Sequence, residues 1–184
     1  MKKEMCVDSA LPEESLRLIE YKKFAVAFSY PQDDFFAFFP ELASEKGKLV
    51  EEYDRLFRLE AIWLYAAEHL AENEFQRVNH LADIMGFYRA FGLEPDKDRA
   101  DSLACQLEFM HYLVYKAQRA MEFEDKEKVA ICVEAQKKFL AQYLYPGLLK
   151  ISGAIISKNK DSFYAQAAQE CLKFIASDIP RVNA

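Results

Sequence analysis

The chain has 184 residues, 52% of them hydrophobic, with 15 Phe and 10 Tyr and a formal charge of −6; that much apolar material excludes a disordered chain. Only 5 Gly and 6 Pro are present, too few for the tight turns of a sheet protein. Lys and Arg are interspersed with Asp and Glu, so no basic stripe exists to neutralise phosphates, which excludes a nucleic-acid binder.

Pro12 opens the first expected helix, with Glu13 and Glu14 where acids complement the helix dipole. Leu18, Tyr21, Ala25 and Phe28 form its buried stripe, and Tyr30-Pro31 ends it. Asp33 and Asp34 cap a short helix, DDFFAFFPEL. Its four Phe in five positions cannot share one side and must lie between other elements or against a partner. Ser44 caps the next helix, with Leu49, Tyr53 and Leu56 inward. The spacing then predicts a helix from about Glu68 to Phe91, with Phe75, Val78, Ala82 and Met85 inward and Gly92 as its stop. Residues 93–101, LEPDKDRAD, read as a polar, acid-rich loop.

Asp101 is expected to cap a central helix whose stripe runs through Leu103, Leu107, Met110, Val114, Ala117 and Met121, widened by Phe109 and Leu113. Asp125 caps the next, with Val129, Cys132, Gln136, Phe139 and Tyr143 on one face. Tyr145-Pro146-Gly147 is expected to break it before a short apolar helix, LLKISGAII. Asn159 or Asp161 starts the last helix, with Tyr164, Ala167, Cys171 and Phe174 aligned. No internal repeat or linker divides residues 1–184, so one all-α domain of about eight helices is expected.

No phosphate-binding glycine loop, nucleophile elbow or H-E-x-x-H motif occurs. His69 and His80, read as one helix, would stand about 16 Å apart, too far for one metal. Glu108 and His111 form a Glu-x-x-His unit, but the second unit that a di-iron bundle requires is missing. The four cysteines, Cys6, Cys105, Cys132 and Cys171, have no C-x-x-C pair and read as small core residues of a reducing compartment. The opening MKKEMCVDSALPEES lacks a leader's apolar region, and no run of about 18 apolar residues occurs. A cytoplasmic protein without an integral membrane segment is expected.

Several segments together resemble the TorD/DmsD/NarJ family of cytoplasmic chaperones for molybdenum enzymes, over about residues 18–175. They are EYDRLF at 52–57, FYRAFGLE at 87–94, DSLACQLEFM at 101–110 and FLAQYLYPGLL at 139–149. Asp101, Leu107, Glu108 and Phe109 fall at the family's spacing, with Ser102 where the family has His. Tyr65 matches a family Tyr, while Ala66 and Ala67 replace its Glu-Ser. The resemblance implies a TorD-like helical bundle with no cofactor and no bond chemistry of its own. It also implies a partner, the catalytic subunit of a molybdopterin oxidoreductase or its twin-arginine signal peptide, held until the cofactor is inserted.

The residues expected to form the receptor surface are Trp63, Tyr65 and Phe109 as apolar floor, Asp96, Asp98 and Asp101 as acidic edge, and Ser102 and Glu108 beside them. An aromatic groove with acidic edges complements an apolar peptide carrying Arg. Two other readings stand beside this one: a helical metal-dependent oxidase using Glu108 and His111, and a helical interaction scaffold unrelated to molybdenum. A homodimer is compatible with any of the three.

Overall fold

The computed structural model describes residues 13–95 and 99–183. Pro12, Cys6, Asp96 and Asp98 therefore lie outside the described residues. Nine α-helical segments are present among those described: α1 (Glu13–Ala27), α2 (Asp33–Phe38), α3 (Lys46–Asp54), α4 (Ala66–Leu70), α5 (Glu74–Ala90), α6 (Leu103–Glu122), α7 (Lys126–Phe139), α8 (Tyr145–Lys158) and α9 (Phe163–Asn183). A 3-10 turn at Pro40–Glu45 precedes α3, and π-helical stretches at Arg55–Leu59 and Leu140–Leu144 follow α3 and α7. The second π stretch makes α7 and α8 one continuous 33-residue helix. The all-α architecture is that expected, with no strand among the described residues beyond one isolated bridge, Tyr65 with Ser102.

The core is built around α6, which packs on α1 and α7. Its stripe of Leu103, Leu107, Met110, Leu113, Val114 and Ala117 is buried, whereas Met121 is exposed. Ser102 and Asp125 supply the side-chain caps of α6 and α7, accepting from the backbone N–H of Cys105 and Lys128 at 3.1 and 3.0 Å. On α2, Phe35 is buried against Phe36, Phe39 and Phe163, as a helix wedged between elements requires.

Five local expectations are corrected. No side chain caps α2 or α3, and Ser44 lies inside the 3-10 turn. The helix expected over 68–91 is interrupted at Ala71–Asn73, where Asn73 accepts from the Gln76 N–H and restarts it, so His69 and His80 are on different helices. On α5, Phe75 (75% exposed) and Val78 face outward, while Ile84 and Tyr88 are buried. Tyr145-Pro146-Gly147 does not break the chain's longest helix, because Pro146 sits in the first turn of α8, directly after the π stretch. A proline removes one helical hydrogen bond, and a wider turn just before it absorbs that loss. Gly147 permits α8 to touch α4, since a Cβ there would lie 2.7 Å from the Ala66 Cβ. That continuous helix is by composition long and apolar enough to cross a membrane, but half of its apolar window is buried inside this fold.

A buried ion pair joins the two ends of the described chain. Arg17 on α1 donates from Nε and Nη2 to both oxygens of Asp178 on α9, at 2.6 and 2.8 Å. Tyr21 donates to Asp178 at 2.6 Å, and Gln136 on α7 accepts from Arg17 at 2.7 Å. Burial works against the Arg17 charge, but Asp178 outweighs it and holds the guanidinium above its ordinary range. A buried pair costs most when one partner is removed and the other is left uncompensated. Arg17→Met is therefore expected to destabilise the protein by about 3–5 kcal/mol. The double variant Arg17→Met/Asp178→Leu should recover much of that, with chemical denaturation giving both values. A double variant no more stable than the single one would contradict the account.

Candidate functional site

Residues 60–67 and 99–103 meet in a short extended crossing. Ala61 adopts a left-handed φ of 51°, and Ile62 N–H closes the turn onto the Leu56 carbonyl at 3.1 Å. The Leu103 and Ala66 N–H groups then donate to the carbonyls of Leu64 and Asp101, at 2.8 and 3.0 Å. Asp101 was expected to cap α6, and it does not. Its carboxylate accepts from the Ala67 N–H at 3.0 Å and so caps α4, 34 residues earlier in the chain, where Tyr65 offers no cap.

Asp101 is fully buried and bridged by Arg99, whose Nε and Nη2 donate to its two oxygens at 3.0 Å each. Arg99 also donates to Glu68 at 2.6 Å, and Glu68 accepts from Arg77 at 3.0 Å. Asp101 therefore holds the crossing together from within, and its carboxylate is not on an edge. Ser102 is likewise buried, with its hydroxyl occupied at the start of α6.

The crossing carries an aromatic face. The Arg99 guanidinium stands 4.4 Å from the Tyr65 ring centre. Tyr65 in turn stacks on Trp63 at 6.4 Å with an interplanar angle of 26°. Trp63 is 49% exposed, and its carbonyl accepts from the His69 ring at 2.7 Å.

Beside the crossing lies a hollow of about 460 Å³, walled by Tyr88, Leu93, Pro95, Cys105, Phe109 and Tyr112. Phe109 forms an inner wall of it and is buried within an aromatic cluster, 4.7 Å from Tyr88 and 4.8 Å from Phe139 between ring centres. Glu94 and Glu108 stand at the rim; Glu94 is 3.5 Å from Arg89, and Glu108 pairs with Lys22. This size and apolar lining, with few polar groups, are those of a ligand-accepting cleft.

Of the residues singled out in the sequence, Glu108 and Phe109 belong to this hollow, and Trp63 and Tyr65 form the face on the crossing. Asp101 and Ser102 build the crossing itself. Leu93, Pro95, Cys105 and Tyr112 were missed. The signal for the last two was present: Cys105, Glu108 and Tyr112 recur three and four apart, one helical stripe on α6.

Glu108 and His111 both turn to α1, His111 donating from Nδ1 to the Leu18 carbonyl at 3.0 Å. Among the described residues, no three His, Cys, Asp or Glu gather as metal ligands. The ligand set that the oxidase reading needs is thus not assembled there. Burial raises the Cys132 and Cys171 thiols above their ordinary range, and both are free, as core cysteines are.

Residues 26–146 match the family described as nitrate reductase delta subunit. The chain is also similar to the perchlorate reductase assembly chaperone protein of Dechloromonas aromatica (strain RCB), with 30% identity over 115 residues. The match covers 61% of this chain and 50% of that protein, so the chain spans about half the length of that curated relative.

The crossing is sensitive to acid through Glu68. The Arg99 hydrogen bond, opposed by burial and seconded by Arg77, holds the Glu68 carboxyl below its ordinary value of 4.5. Its contribution to stability is complete above that value and is lost as pH falls through the lower, folded one. In urea unfolding, the stability gap between the protein and Glu68→Gln is expected to stay constant at neutral pH and to shrink below about pH 4.5. A gap independent of pH would show that Glu68 does not act through its charge.

Proposed function

We infer from one premise, that this chain belongs to the nitrate reductase delta subunit family of NarJ/TorD-like chaperones, that it is an assembly chaperone for the catalytic subunit of a molybdopterin oxidoreductase. It works in the cytoplasm, binds a segment of the subunit lacking its cofactor, and holds it until the cofactor is inserted. The bound segment is an apolar run with neighbouring arginines, such as a twin-arginine signal. The chaperone performs no bond chemistry and needs no cofactor.

The observation that carries this reading is the apolar hollow beside the 93–103 connection, with carboxylates at its rim. Apolar side chains of the segment would enter against Tyr88, Leu93 and Phe109, where they leave water. Its cations would meet Glu94 and Glu108, together with Asp96 and Asp98 of the same acid-rich stretch. Trp63 and Tyr65 add a neighbouring surface with the flat, rigid rings that recur at recognition sites. Asp101 and Ser102 serve binding indirectly, by fixing the start of α6 and the turn of α4. The similarity to a protein named as a perchlorate reductase assembly chaperone supports the same class of partner.

The test is binding of a synthetic Arg-Arg peptide with an apolar run, followed by fluorescence anisotropy. Charge reversal at Asp96 and Asp98 together with Glu108→Gln is expected to weaken binding about tenfold, more steeply at low salt, with an unchanged circular dichroism spectrum. Unchanged affinity would place the receptor surface elsewhere.

A further inference from the structure

A second hollow, of about 560 Å³, lies farther along the same helix, between α6, the end of α5 and the start of α7. Phe91, Tyr115, Phe123 and Ile131 give it apolar walls, and Lys116, Arg119 and Lys128 stand around it with one acid, Asp125. Its aromatic wall is open to water, Phe123 being 73% exposed and Tyr115 and Ile131 exposed as well. Exposed apolar side chains concentrated in this way mark an interaction site. Arg119 pairs with Glu122 and Lys128 with Asp125 at 2.7 Å, which leaves Lys116 as the cation of this hollow without a carboxylate partner among the described residues; in a chain of net charge −6 the lining still holds more cations than acids.

The two hollows share one wall, the half-buried Tyr112. Its hydroxyl makes a long 3.5 Å contact to the Phe91 carbonyl, and its ring stands between the two hollows. Glu108, Tyr112, Tyr115, Lys116, Arg119 and the C-cap residue Phe123 follow one another three, four or one apart, a single stripe along α6 and its end about 22 Å long. Along it the charge passes from carboxylate at the Glu108 end, through aromatic rings, to cations at Lys116 and Arg119.

We propose that the two hollows are one track along α6 whose occupant is a single segment: cationic at the end beside Glu94 and Glu108, apolar across Tyr112 and Tyr115, and acidic at the end beside Lys116, Arg119 and Lys128. This rests on the reading given under Proposed function and specifies the partner it takes. A segment basic at both ends would set like charges together at the far end, which costs affinity. Lys116 lies 5.9 Å from the Tyr112 ring centre and has no carboxylate partner among the described residues, so it is available to an incoming acid. A second copy of this chain is a poorer occupant. A twofold contact centred on this hollow would bring Lys116 against its own copy with no carboxylate between them.

The test uses the full chain and three synthetic peptides of about 15 residues, the helical length of the track. All begin with Arg-Arg and an apolar run, and end in Glu-Glu, Gln-Gln or Lys-Lys. The Glu-Glu peptide is expected to bind about tenfold more tightly than the Lys-Lys peptide, and Lys116→Glu/Arg119→Glu to invert that order. Lys116→Gln/Arg119→Gln, which leaves the surface without new repulsion, should abolish the preference. Equal binding of all three peptides, still weakened by Glu108→Gln, would overturn the track while leaving the first hollow as the receptor. Indifference of all three to substitutions at either end would overturn both readings. Dimerisation in sedimentation, lost in Phe123→Ser, would assign the second hollow to self-association and overturn the track as well.

Discussion

The geometry of the site depends on one buried carboxylate. Asp101 is out of contact with water, and a charge so placed must be matched by a partner and hydrogen bonds. Arg99 supplies the charge and Ala67 a backbone donor, while the Asp101 carbonyl accepts from Ala66 and from the Gln106 side chain. These bonds tie together the beginning of α4, the stretch before it and the beginning of α6. The same Arg99 covers the Tyr65 ring and pairs with Glu68. One node thereby aims the Trp63–Tyr65 face outward and fixes the first turns of α6, which wall the hollow.

Around that node the fold is held by longer-range closures. The Arg17–Asp178 pair, with Tyr21 and Gln136, joins α1, α7 and α9. Phe109, Tyr88 and Phe139 form an aromatic cluster behind the hollow, joining α5, α6 and α7. At α8, Gly147 allows contact with Ala66, directly beside the crossing. These closures lie behind the candidate receptor surface, whose exposed apolar residues include Trp63, Tyr115 and Phe123.

Helix existence and the buried stripe of α6 were legible because a wide apolar face at helical spacing has only one place to go. Asp125 was legible as a cap because its acceptor and donor lie three residues apart. Asp101 was not, since it caps a helix 34 residues away and no local rule reports that. Its neighbour Ser102 does the local work. On α5 the spacing located a stripe but not the covered side: Phe75 and Val78 lie outside, and Ile84 and Tyr88 inside. The resemblance carried the family from short motifs, whereas the hollow needed the structure, because Leu93, Pro95 and Tyr112 come together only when the end of α5 folds against α6.

The central claim is that a partner's segment lies against α6 beside the 93–103 connection. Hydrogen–deuterium exchange of the chain, alone and with a molybdopterin oxidoreductase catalytic subunit lacking its cofactor, tests it most directly. The account predicts slower exchange at residues 91–95 and along the first half of α6, with α9 unchanged. Protection confined to α2, α3 or α9, with 91–112 unaltered, would contradict it.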